Sequence, residues 1–273
     1  MWFVKLLIVG AVTYLLVLAE GFFLQTALLF PARLAAASGP LPAGARHLAL
    51  GMPDGERIHG LHIPPTRSSE GDRLVILGFG GNAWNADHVA AYLHGLYPEA
   101  DVVAFHYRGY GPSGGSPSAE TLLADAPLLP DFIVKSVEPD RIVAVGYSIG
   151  SGIAAHLASR RTLDGLILVT PFDSLAALAR GHYPWLPTGL LLRHRMAPVE
   201  DLARVTAPVA LIAGARDTLI PSTRTAALRE AVPNLVLDRT IAGAGHNDIY
   251  DRPAFREAMT EALRRMKPPS AKP

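Results

Sequence analysis

Apolar residues fall along this chain in two patterns. The first is a nearly continuous run at the N-terminus: Leu6 to Ala19 carries no charge, and after the single Glu20 the apolar character resumes from Gly21 through Phe30. At about 1.5 Å per helical residue the first stretch reaches only about 21 Å, short of a hydrocarbon core of about 30 Å. A membrane span here borrows its flanks. Trp2 and Phe3 extend it on one side with Lys5 reaching outward, and the stretch after Glu20 lies in or near the interface. Two other readings stay open. Lys5, the short apolar region and Val17-Leu18-Ala19 also resemble a cleaved signal segment, and a helix buried against the domain would have the same composition. The continued apolar stretch favours a retained anchor, because a mature end beginning Glu20-Gly21-Phe22-Phe23 would expose that surface to water.

The second pattern begins near residue 45. Short apolar runs around 73–78, 102–106, 141–145, 165–170, 208–213 and 235–240 alternate with longer segments. Alternation of that kind predicts an α/β fold, a mostly parallel sheet with helices on both faces. Ahead of it, His47–Leu50 and Arg57–His62 read as a hairpin joined across Met52-Pro53-Asp54-Gly55, whose proline and glycine supply the turn dihedrals. At the far end Phe255, Met259, Leu263 and Met266 recur at helical spacing, with Asp251 placed to cap that helix. The predicted organisation is an N-terminal anchor or signal segment over 1–30, a linker rich in proline, glycine and alanine over 31–44, one α/β domain over 45–267 and a frayed tail over 268–273.

Composition narrows the function classes. A chain of 273 residues with 49% hydrophobic content can bury one sizeable core. The net charge is +1 and Lys and Arg do not gather around aromatics, which argues against a nucleic-acid partner. The absence of cysteine excludes disulfides, thiolate nucleophiles and cysteine metal sites. His59 and His62 look like a metal pair, but residues three apart on a strand face opposite sides.

The candidate chemistry lies at strand ends. Arg141-Ile-Val-Ala-Val-Gly-Tyr-Ser-Ile-Gly150 reads as a buried strand turning sharply into a helix, with Ser148 at the apex and glycines where bulkier residues would crowd the turn. In a chain with 25 glycines a bare Gly-x-Ser-x-Gly match can arise by accident, and the strand–turn–helix setting is what lifts it. Downstream, Pro208–Ala213 runs into Gly214-Ala215-Arg216-Asp217, and Leu235–Thr240 leads into a glycine-rich loop that presents His246. The order Ser148, Asp217, His246 is that of α/β-hydrolases and differs from the chymotrypsin and subtilisin orders. The predicted mechanism needs no metal, nucleotide or organic cofactor. His246 takes the Ser148 proton, Asp217 orients the imidazole, and backbone N–H groups of Ile149 and of the Gly80-Gly81-Asn82 loop, Asn82 first, receive the oxyanion.

Taken together these motifs resemble the α/β-hydrolase superfamily, and within it the membrane-anchored branch of BEM46-like and ABHD13-like proteins. The resemblance covers roughly residues 45 to 265. It rests on Gly146-Tyr-Ser-Ile-Gly150, Phe105-His-Tyr-Arg-Gly-Tyr-Gly-Pro-Ser-Gly114, Pro171-Phe-Asp-Ser174, Gly214-Ala-Arg-Asp217 and Gly245-His-Asn-Asp248. One departure stands after the Leu74–Gly78 strand, where the family's usual His-Gly-Asn is Gly80-Gly81-Asn82 here. Loss of that histidine leaves the loop's N–H groups in place and calls its stiffness into question.

Each assignment has a rival. Ser148 reads alternatively as a structural helix-start serine. Asp173 and Asp248 are rival acids, read instead as a cap on the helix starting at Ser174-Leu175 and as a hydrogen-bond partner inside its own loop. Arg108 and Tyr110 are expected to shape the turn after their strand. The excursion over about 174–207, with Tyr183-Pro-Trp-Leu-Pro187 and Leu190-Leu-Leu192, is long enough for a helix and a small lid. With Phe79 and Trp84 it either borders an apolar acyl pocket or simply packs the core. The expected function is a serine hydrolase of carboxylic esters or thioesters on small-molecule or lipid-like acyl substrates, anchored with its domain outside the cytoplasm, or secreted or periplasmic if the segment is cleaved. Amide or peptide cleavage on the same three residues, and a membrane-tethered scaffold without turnover, are the alternatives.

Overall fold

Each central strand of this protein is apolar on both faces because it feeds two cores. In the computed structural model, which describes residues 1–36, 38–67 and 71–266, Val75, Leu77 and Phe79 enter one apolar cluster while Ile76 enters the other. Leu166 and Leu168 part in the same way from Ile167 and Val169. Successive side chains on a strand point to opposite faces, so a sheet covered on both sides reads as an unbroken apolar run rather than an alternation.

The elements follow in the order α1 (Trp2–Leu29), β1 (Arg46–Gly51), β2 (Arg57–Ile63), β3 (Leu74–Phe79), α2 (Ala86–Leu96), β4 (Asp101–Phe105), α3 (Ala119–Asp125), α4 (Leu129–Val137), β5 (Arg141–Tyr147), α5 (Ile149–Arg160), β6 (Gly165–Val169), α6 (Leu175–His182), α7 (Thr188–Leu191), α8 (Pro198–Leu202), β7 (Val209–Gly214), α9 (Ser222–Ala231), β8 (Leu235–Ile241) and α10 (Pro253–Arg265). The sheet order is β1-β2-β4-β3-β5-β6-β7-β8, with the β1–β2 and β2–β4 pairs antiparallel and the remaining pairs parallel. The hairpin turn closes where expected: Gly55 adopts φ +89° and Met52 N–H donates to Glu56 O at 2.8 Å. Because β3 and β5 to β8 run parallel, their C-terminal ends and the loops that follow gather along one rim.

Two expectations about helix starts are corrected. Asp251 lies in a short 3₁₀ turn, and α10 starts at Pro253 after Arg252 with no side-chain cap; a proline at the first helical position needs no N–H partner. Phe255 and Met259 on this helix are fully buried, as the spacing required. Asp173 is likewise not a helix cap. Ser174 performs that task, its side chain accepting from Ala177 N–H. The tail expected over 268–273 lies outside the described residues.

The N-terminal segment is one uninterrupted helix that passes through Glu20 and includes most of the apolar stretch beyond it. Among its residues only Gln25 is buried. Leu18, Phe22, Thr26 and Leu29 are partly covered, on the same face as Gln25, and the remainder is exposed and mostly apolar, with Lys5 and Glu20 its charged residues. The stretch after it runs over the start of α2: Asn85 donates to Ala36 O at 2.9 Å, and Leu41 packs against the cluster that includes α2 and α10 residues.

Candidate active site

Ser148 sits between β5 and α5 with φ +51° and ψ −118°. That region disfavours any side chain other than glycine's hydrogen, and residues held there by the surrounding structure cluster at functional sites. The surroundings impose it. A Cβ on Gly146 would fall 2.5 Å from Gly150 O, and one on Gly150 would fall 2.3 Å from Phe79 O, so both flanking positions must lack a side chain. Ser148 N–H donates to Val169 O at 2.9 Å, and its carbonyl accepts from Ser151 Oγ–H at 2.6 Å, which pins the turn. A helix-start serine would spend its hydroxyl on the first turn. Ser148 makes no such bond.

Its Oγ instead lies 3.0 Å from His246 Nε2, and His246 Nδ1 lies 2.7 Å from Asp217 Oδ2. A carboxylate only accepts, so Nδ1 carries the proton and Nε2 is left as an acceptor facing the serine. Asp217 is held in turn: its Oδ1 accepts from Leu219 N–H at 2.9 Å and Ile220 N–H at 2.8 Å. The two loops are sewn together by Arg216 N–H donating to Ala244 O at 2.7 Å and Ala215 N–H to Ile241 O at 3.0 Å. Gly214 permits this, since a Cβ there would meet Ala244 O at 2.6 Å. The side chains of His246 and Asp217 are 10% and 3% exposed, which shields their mutual bond from competing water.

The rival acids are occupied elsewhere. Asp173 accepts from Arg224 at 3.0 Å and from Ser174 N–H at 2.8 Å. Asp248 accepts from Gly245 N–H at 2.6 Å and pairs with Arg252, whose guanidinium and the Gly245 N–H hold its carboxyl below the usual carboxylate range. It thereby braces the loop that carries His246.

Opposite Ser148 stands the Gly80-Gly81-Asn82 loop, close enough that a Cβ on Gly81 would lie 3.8 Å from the serine Cβ. Ile149, as the first residue of α5, has no acceptor for its N–H inside the helix. All three carbonyls of the loop are tied down. Tyr107 Oη–H donates to Gly80 O at 2.8 Å, Trp84 N–H to Gly81 O at 3.2 Å and Tyr110 Oη–H to Asn82 O at 2.5 Å. The two tyrosine hydroxyls thus supply the stiffness that the missing family histidine had called into question. Sequence reasoning placed Tyr110 in its own turn and gave Tyr107 no part. Two hydroxyl-bearing aromatics three residues apart, beside the Arg-Gly bend, were the available signal. Arg108 does shape its turn, through a bidentate pair with Asp125 at 2.7 Å for both bonds.

The pocket candidates sit in packing roles. Phe79 is 3% exposed within the core and lines a small, partly open cavity of about 20 Å³ with Ile153 and Leu122. Trp84 stacks in an aromatic cluster with Tyr92, Tyr147 and Tyr250 at centroid distances of 5.6, 5.1 and 5.3 Å.

Comparison with other proteins places the chain. Residues 74–201 match the family described as alpha/beta hydrolase fold. An uncharacterized protein of Mycobacterium tuberculosis is 37% identical over 215 residues, spanning 78% of this chain and 75% of that protein. The chain belongs to the α/β-hydrolase fold family. This assignment is coarser than the BEM46-like branch that the motifs resemble. Solved α/β-hydrolase-like structures agree on the fold. An esterase of Pyrococcus furiosus superposes with a TM-score of 0.67 at 19% identity, covering 84% of this chain and 95% of its own. A bacterial membrane phospholipase A superposes at 0.60 and 18% identity while covering 96% of this chain and 99% of its own.

Proposed function

We propose that this α/β-hydrolase is a serine hydrolase of carboxylic esters or thioesters with acyl, lipid-like substrates, held at a membrane by α1. The observation that carries the reading is the unbroken chain of hydrogen bonds from Ser148 Oγ through His246 to Asp217, with the serine hydroxyl free of any capping role. Ser148 Oγ attacks the acyl carbon while its proton passes to His246 Nε2. Asp217 holds the imidazole in the required tautomer and stabilises the imidazolium. The tetrahedral oxyanion is received by the N–H groups of Ile149 and Asn82; such a donor lowers the barrier by about 3 kcal/mol. Collapse breaks the bond to the alcohol or thiol, which leaves with the proton from His246. Water, deprotonated by the same imidazole, then attacks the acyl-enzyme and releases the acid with Ser148 restored.

The anchor reading rests on α1. At 28 residues it is about 42 Å long, ample for a hydrocarbon core of about 30 Å, and its first two-thirds present exposed apolar residues on every side. So large a continuous apolar surface is costly in water and expected in lipid. The bacterial membrane phospholipase A noted above overlays nearly the whole chain, in keeping with a lipid-like acyl substrate. In this reading the domain faces the extracytoplasmic side.

A fluorophosphonate probe tests the chemistry: it labels the parent protein and leaves Ser148→Ala unlabelled, and p-nitrophenyl esters of short and long acids lose turnover in the same variant. Equal labelling of both proteins would remove the serine mechanism. An unlabelled parent would favour the tethered scaffold, and faster cleavage of matched amides than esters would favour the peptidase or amidase. For α1, recovery of full-length protein in the membrane fraction is expected, whereas a soluble species starting at Glu20 would establish cleavage. Protease added to intact cells is expected to digest the domain.

A further inference from the structure

Helix α1 does not stand apart from the domain; from Tyr14 to Thr26 it is bonded to the excursion between β6 and β7. Tyr14 Oη–H donates to Trp185 O at 3.0 Å, and the two rings lie 6.4 Å apart. Farther along, Gln25 donates to Leu191 O at 3.1 Å and accepts from Arg193 N–H at 2.7 Å, and the Arg193 guanidinium rests 5.4 Å from the centre of the Phe22 ring. His194 closes the seam. Its Nδ1 accepts from Ala119 N–H at 3.3 Å, so Nε2–H donates to Thr26 Oγ1 at 2.7 Å. The excursion thus rises beside α1 in the same direction, from the level of Tyr14 at Trp185 to the level of Thr26 at His194.

This register sets a depth. A hydrocarbon boundary at Glu20, the carboxylate that resists deeper burial, leaves Tyr14 about 9 Å below it, and a boundary farther along the helix leaves more. Trp185 is bonded at that depth. It is 53% exposed, its neighbour Tyr183 is 51% exposed and Leu190 is 87% exposed, a degree of apolar exposure on a lid tip that water disfavours. On the other side of Glu20 the charge changes: Arg33, Arg193 and Arg195 are exposed and pair with no carboxylate among the described residues. Aromatic and aliphatic residues below, with guanidinium groups above, match the profile of a leaflet with phosphate headgroups.

We infer that the lid tip from Tyr183 to Leu190 is immersed in the same leaflet as α1, and that the substrate is a phosphate-headed acyl-ester lipid taken sideways from that leaflet. The inference rests on the anchored-hydrolase reading above. The tip is coupled to the reacting groups by a short path. His182, one residue before Tyr183, donates from Nε2–H to Leu219 O at 2.7 Å, and Leu219 N–H donates to Asp217 Oδ1 at 2.9 Å. Leu219 is itself apolar and 49% exposed, continuing the greasy rim from the lid to the edge of the site. Ester carbonyls of a glycerolipid lie at the junction of hydrocarbon and headgroup. A rim sunk to that junction presents them to Ser148 without the acyl chains passing through water.

Because the chain has no cysteine, single sites can be labelled. Trp185→Cys, Leu190→Cys and Glu257→Cys, the last on α10 at the opposite face of the sheet, carry an environment-sensitive fluorophore in full-length protein reconstituted into phosphatidylcholine and phosphatidylglycerol vesicles. Labels at 185 and 190 are expected to shift to the blue and to be quenched by lipids spin-labelled on the acyl chain, at least fivefold more than the label at 257. A second measurement uses Leu190→Glu and Trp185→Glu, which keep the backbone oxygen that Tyr14 binds. Both are expected to lower turnover of vesicle-embedded phospholipid at least tenfold while hydrolysis of soluble p-nitrophenyl acetate stays within about twofold. Equal, water-like signals at 185, 190 and 257 in protein that still sediments with vesicles would overturn the immersed lid and leave the anchor standing. Protein that fails to sediment would overturn the anchor and the lid together. Unchanged phospholipid turnover in both glutamate variants, with the Ser148→Ala protein inactive, would overturn the lateral route and leave the hydrolase standing.

Discussion

Two regions of this molecule are held in opposite ways. The rim carrying Ser148, Asp217 and His246 is built largely by main chain, from strand ends, close-packed glycines and the N–H groups that grip Asp217, with the Tyr107 and Tyr110 hydroxyls holding two carbonyls of the facing loop. The seam between α1 and the lid is built by a few polar side chains, Tyr14, Gln25, Thr26 and His194, with exposed apolar surface on either side. The first arrangement keeps atoms within hydrogen-bond tolerance for chemistry, which a misplacement of about 1 Å can slow a hundredfold. On the proposed membrane reading, the second suits surfaces that must fit a fluid environment. Position is demanded in one region and solvent compatibility in the other.

The sharpest way to break the rim is to remove one of the three groups proposed to react there. His246→Ala is expected to lower kcat by roughly 10⁴ to 10⁶ with little change in melting temperature, measured on a soluble ester. Asp217→Asn is expected to lower it by about 10⁴ through the wrong imidazole tautomer. Asp173→Asn, beside Arg224 and away from the ring, is expected to stay within a few-fold of parent, and an equal loss in the two would reverse the choice of acid. Gly150→Ala strikes the same rim through its backbone. Its methyl would lie 2.3 Å from Phe79 O and 2.5 Å from Gly80 O, so a stability loss on the order of 2–3 kcal/mol is expected in chemical denaturation, along with loss of activity.

Smaller effects separate positioning from chemistry. Tyr107→Phe removes one tie from the Gly80-Gly81-Asn82 loop. A hydrogen bond contributes about 0.5–1.5 kcal/mol, so kcat is expected to fall about three- to tenfold with KM nearly unchanged. Tyr92→Phe, which removes a tie to Tyr250 O instead, is expected to change stability and leave kcat alone. The smallest effect belongs to the seam. Burial, aided by Arg193, holds the His194 imidazole below its ordinary value of 6.5. The folded protein resists protonation there while the unfolded chain does not, so this contribution is present above about pH 6.5 and declines as pH falls through the lower folded value. Melting curves are expected to shift down between pH 7 and pH 5 in parent and less in His194→Gln.

The lengths and order of the strands were legible because a strand buried on both faces must be apolar at every position, which leaves a plain mark in one dimension. Ser148 was legible for a related reason: a turn this tight admits only glycine at positions 146 and 150. Asp217 and His246 announced themselves by standing in glycine-bearing loops just past such strands. The chain order favours Asp217 over Asp173 and Asp248, but which acid meets the imidazole is settled in space, by the loop bonds around Gly214 and Ala244 and the capture of Asp173 by Arg224.

The sequence by itself determined the sheet, the serine turn and the apolar N-terminal helix, because each follows from local sterics or from a periodicity that burial imposes on neighbouring residues. Only the tertiary structure decided that Tyr107 and Tyr110 steady the loop facing Ser148, that Asp173 serves Arg224 and that α1 runs bonded to the lid. Those outcomes depend on pairs of residues as far as 171 positions apart, whose meeting is fixed by how the layers pack, and no local pattern encodes it.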